Sequence, residues 1–424
     1  MVITNDKPIV TAREIRIFTE VTTHRTTGLK ANWKQFTLLV IINAFVGGMV
    51  GMERTLLPEI AQHDFQISAY SAMLSFIVVF GTVKALSNYF AGSLSNRMGR
   101  KRLLILGWLV GIPIPFLLMY APSWNWILFA NVLLGINQGL AWSSTVVMKI
   151  DLVGEKQRGL AMGLNEFAGY LAVAVVAYVS TVIAQAYGLR PFPFIIGIVL
   201  SIGGVILSWV FVKDTQHMVQ TEAVNHPQPR LTNIFRETTW THRILGTVTQ
   251  AGLVNNLNDG MVWGIFPLLL ANQGFSLEMI GIITGIYPAV WGISQIGTGA
   301  LGDYWSKKAL LFWGMLVQGL ALFGLLIANN TLHFMLLSAC LGLGTAMVYP
   351  TFLSKIAQHT HPLDRAKSIG TFRLWRDLGY AFGALLTGIL ADWFNLNTAI
   401  AFIGGLTVLS AGTIALRMPR ERRA

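Results

Sequence analysis

Residues Gly92 to Arg102 read GSLSNRMGRKR and stand between two long apolar runs. Arg97, Arg100, Lys101 and Arg102 crowd the last six positions, and glycines sit at 92 and 99. Clustered cations are expensive in hydrocarbon and glycine permits a tight reversal, so the stretch predicts a cationic hairpin between two membrane helices. Starting 207 residues later, Gly299 to Lys308 reads GALGDYWSKK, again with Gly, Leu and a basic pair at offsets 0, 2 and 8 to 9. The chain carries the same device twice.

Composition agrees with a membrane setting. Of 424 residues, 54% are hydrophobic and 12% charged, against about 25% charged in a soluble domain. A helix spans the hydrocarbon core with about 20 apolar residues, and the sequence offers many such runs separated by short polar segments. The expected class is an all-α integral membrane protein. The net charge of +12 is distributed by loop: Arg97 to Arg102, then Lys156 and Arg158, Lys213 to Arg243, Lys307 and Lys308, and Lys355 to Lys367 occupy alternate connections, while those between hold little beyond Arg190. This positive-inside bias predicts a multi-pass protein of the inner (cytoplasmic) membrane with both termini in the cytoplasm. The charge therefore points to topology and anionic lipid, not to nucleic acid. The single cysteine, Cys340, excludes a disulfide framework within the chain.

Residues 1–34 form a polar N-terminal tail, of which Ala12 to Val21 fits either a surface helix or a disordered segment. Six spans are expected near 36–58, 69–91, 103–120, 124–148, 160–186 and 192–212, making a first bundle over 35–212. A polar linker, 213–241, contains HPQPR and a short surface helix around Ile234. Six further spans near 242–270, 278–298, 309–328, 331–354, 367–390 and 394–416 make a second bundle over 242–416, followed by the basic tail 417–424. The total is twelve transmembrane helices in two pseudo-symmetric bundles.

More landmarks repeat. Pro58 and Pro267 close the first span of each half; Arg158 and Gly163 before the fifth span match Arg365 and Gly370 before the eleventh; and both those spans run into a Gly-Tyr pair, Gly169-Tyr170 and Gly379-Tyr380. Two parallel repeats imply a pseudo-two-fold axis along the membrane normal, with a cavity where the halves meet.

On these motifs the chain, over about residues 36–416, resembles the major facilitator superfamily, whose signature turn between helices 2 and 3 has the form G-x-L-x-D-R-x-G-R-K. It is matched by Gly92, Leu94, Arg97, Gly99, Arg100 and Lys101, with Gly299, Asp303 and Lys307 in the second copy. The resemblance implies alternating access, with this motif locking the inner ends of the halves. Asn96 departs from the acidic position, so the lock would rest on neutral hydrogen bonds there. Gly135 stands where proton-coupled exporters of the family often carry arginine before a Q-G pair, here Gln138-Gly139, and the fifth helix lacks their G-P pair.

An ionisable group in a span needs a partner, a wet cavity or a function. Glu53, Glu166 and Asp259 are the candidates for proton coupling; static ion pairing is the alternative. Lys84 and Glu166 each lie eight residues from the basic loops, about 12 Å along a helix, near mid-membrane depth. Lys84 and Arg373 are available as partners for the glutamates. Asn255, Asn256, Asn258 and Asp259 in NNLNDG predict a discontinuous seventh helix lining water. Tyr287, Trp291 and Gln295 share one helix face, and with Arg54, Lys84, Asn137, Gln138, Asn165, Asn255, Asn256, Tyr349, Arg373, Arg376 and Asp377 complete the candidate cavity wall.

No P-loop, metal-ligand cluster or hydrolase motif is present, so no enzyme, metal or cofactor is expected. The expected function is secondary active transport of a small organic solute, proton-coupled and outward, by a protein acting as a monomer. The alternatives are a uniporter or importer of an organic anion, and a non-transporting sensor that keeps the fold.

Overall fold

The structure, a computed structural model, describes residues 27–54, 56–67, 75–154, 157–219, 229–275 and 277–419. The possible helix at 12–21, loop residues 226–228, Lys156, the tail from 420 and the side chains of Pro58 and Asp303 lie outside what it describes. Among the described residues there are twelve long helices and no strand. They are α1 (Trp33–His63), α2 (Ser75–Met98), α3 (Arg100–Tyr120), α4 (Trp124–Val153), α5 (Arg158–Tyr187), α6 (Phe192–Val210), α7 (Arg243–Asn272), α8 (Leu277–Tyr304), α9 (Lys307–Leu325), α10 (Thr331–Gln358), α11 (Pro362–Trp393) and α12 (Leu396–Arg417). Eight are long and apolar enough to cross a membrane by length and composition; α4, α7, α8 and α11 are the others.

Local chemistry sets the helix ends. Asn330, Asn395 and Ser306 accept hydrogen bonds from the third amide beyond them and so cap α10, α12 and α9, satisfying donors that a helix start leaves open. At the far end of α12 the carbonyls of Leu416 and Ala415 accept from Arg243 and Lys308, the cation placement a helix C-terminus favours. Within the linker, Arg230 and the Leu231 amide dock on Asp364 in the first turn of α11. This hydrogen-bonded contact raises the Arg230 pKa further above its ordinary value.

Packing follows the repeat. In the first half α1 lies against α5, α2 against α4, and α3 against α4 and α6; in the second, α7 lies against α11, α8 against α10, and α9 against α10 and α12. The halves meet along two seams, α2 on α11 and α5 on α8. A two-fold axis that maps α2 on α8 and α5 on α11 exchanges the two seams. With lipid outside, close backbone approach and polar contacts hold such helices together. Glycines permit it: a Cβ on Gly47 would fall 2.1 Å from the Gly169 carbonyl oxygen of α5, and one on Gly379 would fall 2.2 Å from that of Leu253 in α7.

Candidate functional site

Three layers lie along the axis between the halves. The first is at the end that carries the basic loops. Gly99 has φ of +87°, a conformation L side chains rarely adopt, so glycine is required between α2 and α3. The Lys101 amide beyond it donates to Asp214 at 2.9 Å. Asn96, half-buried, donates to the Leu363 carbonyl of the other half at 3.0 Å, so a neutral bond occupies the position where the family motif has an acid. The acid comes instead from the end of α4. Asp151 meets Arg100 of its own half at 3.4 Å and Arg365 of the other at 3.7 Å, all three fully buried. Leu94 is half-buried and Arg97 exposed; Lys307 is half-buried at the start of α9, across the turn from the end of α8 that holds Gly299 and Asp303.

The second layer is a run of fully buried polar side chains. Lys149 of α4 donates to Asn165 of α5; Asn165 and Trp142 donate to the same oxygen of Glu166, Trp142 at 3.3 Å. Asn43 of α1 joins through Thr145 and the Asn165 carbonyl. Across the seam Arg373 donates to Ser143 at 3.0 Å, Ser143 to Asn88, and Asn88 to Asp377, which Arg376 also holds. Arg373 lies within electrostatic reach of Glu166, yet no hydrogen bond joins them: the second Glu166 oxygen and the Nε and Nη2 of Arg373 have no partner.

The third layer is a cavity. Arg54, Lys84, Gln138, Asn256, Asp259, Trp291, Arg376 and Asp377 line it among the predicted residues, together with Phe80, Trp142, Tyr170, Trp263 and Tyr380. Its aromatic floor spans both halves: Tyr170 stacks on Trp291 at 3.8 Å between ring centroids, and Tyr349 and Tyr287 lie at 5.9 and 5.7 Å from Trp291. Tyr287 donates to Asp259. Arg54 donates to Tyr380 at 2.9 Å.

The other predicted residues sit elsewhere. Glu53 is buried inside the first half, where Asn131 donates to it at 3.3 Å; Asn137 donates to the Gly107 carbonyl at 2.8 Å. Gln295 and Asn255 are buried in α8 and α7 without side-chain partners. Neither glutamate forms an ion pair with Lys84 or Arg373. The discontinuous seventh helix is not found: α7 is continuous from Arg243 to Asn272. Asn258 is satisfied by Gln318 of α9 and Thr407 of α12, and the helical backbone stays closed around Asn255 although its side chain has no partner among the described residues. Lys149 and Asp151 escaped the sequence reading because the fourth span was ended at 148, whereas α4 runs to Val153.

A family model, Major Facilitator Superfamily, matches residues 39–254 and 248–424. The chain belongs to that superfamily. Relatives include a proton-coupled antiporter flippase, LtaA, of Staphylococcus haemolyticus, 23% identical over 398 residues that cover 91% of this chain and 94% of that protein. The multidrug resistance protein MdtG of Salmonella arizonae is 21% identical over 391 residues, covering 90% and 94%. Among solved structures, the human organic anion transporter MFSD10 (TETRAN) superposes with a TM-score of 0.74 at 14% identity, covering 90% of this chain and 99% of that one, and shares the fold. The chain is thus a multi-pass membrane transporter of the Major Facilitator Superfamily, its twelve helices forming two bundles.

Proposed function

We propose that this protein moves a small organic solute out of the cell by alternating access, coupled to protons, across the inner membrane. The units that rock are residues 35–212 and 242–416, with 213–241 as the linker and the basic end in the cytoplasm. The observation that carries the reading is the position of Asp259 and the Arg376–Asp377 pair on one cavity between the halves, above a basic end closed by Asn96, Asp151 and Arg365. A carboxylate at such a cavity can take up a proton on one side and release it on the other. The names of the relatives, a proton-coupled antiporter flippase and a multidrug resistance protein, agree in kind.

A second reading, uptake of an organic anion, is favoured by the Lys84 ammonium, which faces the cavity without an ion-pair partner. One experiment covers both. In proteoliposomes with an imposed pH gradient and a pH dye inside, added solutes are expected to drive proton movement, and its sign gives antiport or symport. A correctly folded protein that moves no solute in either direction would leave the non-transporting sensor.

A further inference from the structure

The cavity carries more positive charge than its own carboxylates can neutralise. Three cations line it, Arg54, Lys84 and Arg376, against two carboxylates, Asp259 and Asp377. One positive charge is left over even with every acid ionised, and each proton taken up adds another. The distribution is also uneven. Asp377 is held by Arg376 and Asn88, and Asp259 by Tyr287, whereas Lys84 has no hydrogen-bond acceptor and no ion pair among the described residues. Its ammonium rests over the rings of Phe80 and Trp142, 5.3 and 5.5 Å from their centroids. Arg54, from helix α1, lies 4.8 Å over the same Phe80 ring and donates to the Tyr380 hydroxyl, its one polar partner among the described residues.

Two cations held over aromatic faces at the wall of a cavity, Lys84 within electrostatic reach of Asp377 and Asp259 but neither cation in an ion pair with them, can accept a further anion. Trp142, Tyr170, Trp263 and Trp291 supply flat apolar surface to the same cavity, beside the polar Gln138, Asn256, Asp259, Arg376 and Asp377. We propose that the solute is an organic anion with a flat apolar body, its anionic group held by Lys84 and Arg54 and its body lying against these rings. The inference rests on the transport reading for its meaning, but the binding it describes needs no gradient.

The test is thermal unfolding of the purified full-length protein in detergent with four probes: 2-naphthoate, naphthalen-2-ylmethylammonium, 2-naphthylmethanol and acetate. The naphthoate is expected to raise the unfolding temperature at concentrations at least about tenfold lower than the ammonium or the alcohol, with no effect of acetate. Lys84→Met should weaken naphthoate at least about tenfold, Lys84→Arg should keep it, and the unliganded Lys84→Met protein should unfold no earlier than the parent, because it loses a buried charge that no ion pair holds. Equal stabilisation by the ammonium or the alcohol, no stabilisation by naphthoate, or unchanged naphthoate affinity in Lys84→Met overturns the proposal. Vesicles that fail to couple solute to protons while naphthoate still binds overturn the coupling reading and leave this one standing.

Discussion

Gly92 and Gly370 meet across the two halves: a Cβ built on Gly370 falls 3.2 Å from the Gly92 Cα and 2.8 Å from the Asn88 carbonyl oxygen. The repeat-related pair does the same, a Cβ on Gly299 falling 3.0 Å from the Gly163 Cα. Both contacts are backbone on backbone, so a side chain at either place cannot be absorbed by a rotamer change. Gly370→Val should wedge this seam at the basic end. Transport should fall at least about tenfold with membrane insertion kept, a barrier change of about 1.4 kcal/mol or more. A cysteine placed at buried Ser368, on a background without Cys340, should label faster from the basic side. Unchanged transport and labelling would remove the seam from the gating cycle.

Asp151 is shared between Arg100 of its own half and Arg365 of the other. Asp151→Asn puts a neutral amide where Arg100 and Arg365 meet a carboxylate, and breaking a buried ion pair costs about 3 to 5 kcal/mol in soluble proteins. The expected result is a lower unfolding temperature together with easier opening of the basic end. Asn96→Asp is the informative partner: if the family's acid can take over the role, it should recover part of the loss. A double variant no better than Asp151→Asn alone would show that position 96 cannot replace Asp151.

His242 lies just before α7, and its Nδ1 accepts from the Leu245 amide at 3.2 Å. Burial lowers its pKa below the ordinary 6.5, with Glu237 opposing the shift. A folded value below the unfolded one means that the unfolded chain binds the proton more readily. The contribution is therefore complete above about pH 6.5 and lost as pH falls through the depressed folded value. Protonation also removes the acceptor that holds the Leu245 amide. His242→Gln keeps an acceptor that does not titrate, so its unfolding temperature should fall less steeply below about pH 6.5 than that of the parent. Parallel curves would exclude His242 from the acid response.

The repeat made most of the fold readable in advance. Glycines 92 and 299, and 163 and 370, stand at a common spacing in the chain, and the two-fold axis pairs 92 with 370 and 299 with 163 in space. Spacing identifies equivalent positions, but only packing tells which of them touch. The Gly-Tyr pairs were visible as landmarks, and Tyr170 and Tyr380 prove to line the cavity. Lys149 was not legible because an ammonium at the end of an apolar run reads as the edge of a membrane, while here the helix continues and Asn165 receives it. The amides of α7 misled for the opposite reason. A cluster of asparagines resembles a helix break until Gln318 and Thr407, far away in sequence, are seen to satisfy one of them.

Glu166 is the buried acid whose role a single substitution can decide. It lies one turn from Tyr170 toward the basic end, under Trp142, which lines the cavity and donates to it. One of its oxygens accepts from Trp142 and Asn165, and the other has no partner. On its own half Asn165 links it to Lys149; from the other half Arg373, with two unpartnered nitrogens, faces it. A carboxyl between cations of both halves has two ways to change as they move: it can exchange a proton or exchange partners. Glu166→Gln keeps the shape of the neutral acid and most of its hydrogen bonds. If Glu166 carries the coupled proton, the variant should bind solute normally yet lose the dependence of transport on a pH gradient. If it serves only to balance charge, proton flux should persist while the unfolding temperature falls, since Lys149 and Arg373 would lack their shared carboxylate. Measuring solute-driven proton flux and unfolding on this one protein separates the two, and normal flux with reduced stability would assign the coupling to Asp259, which already faces the cavity.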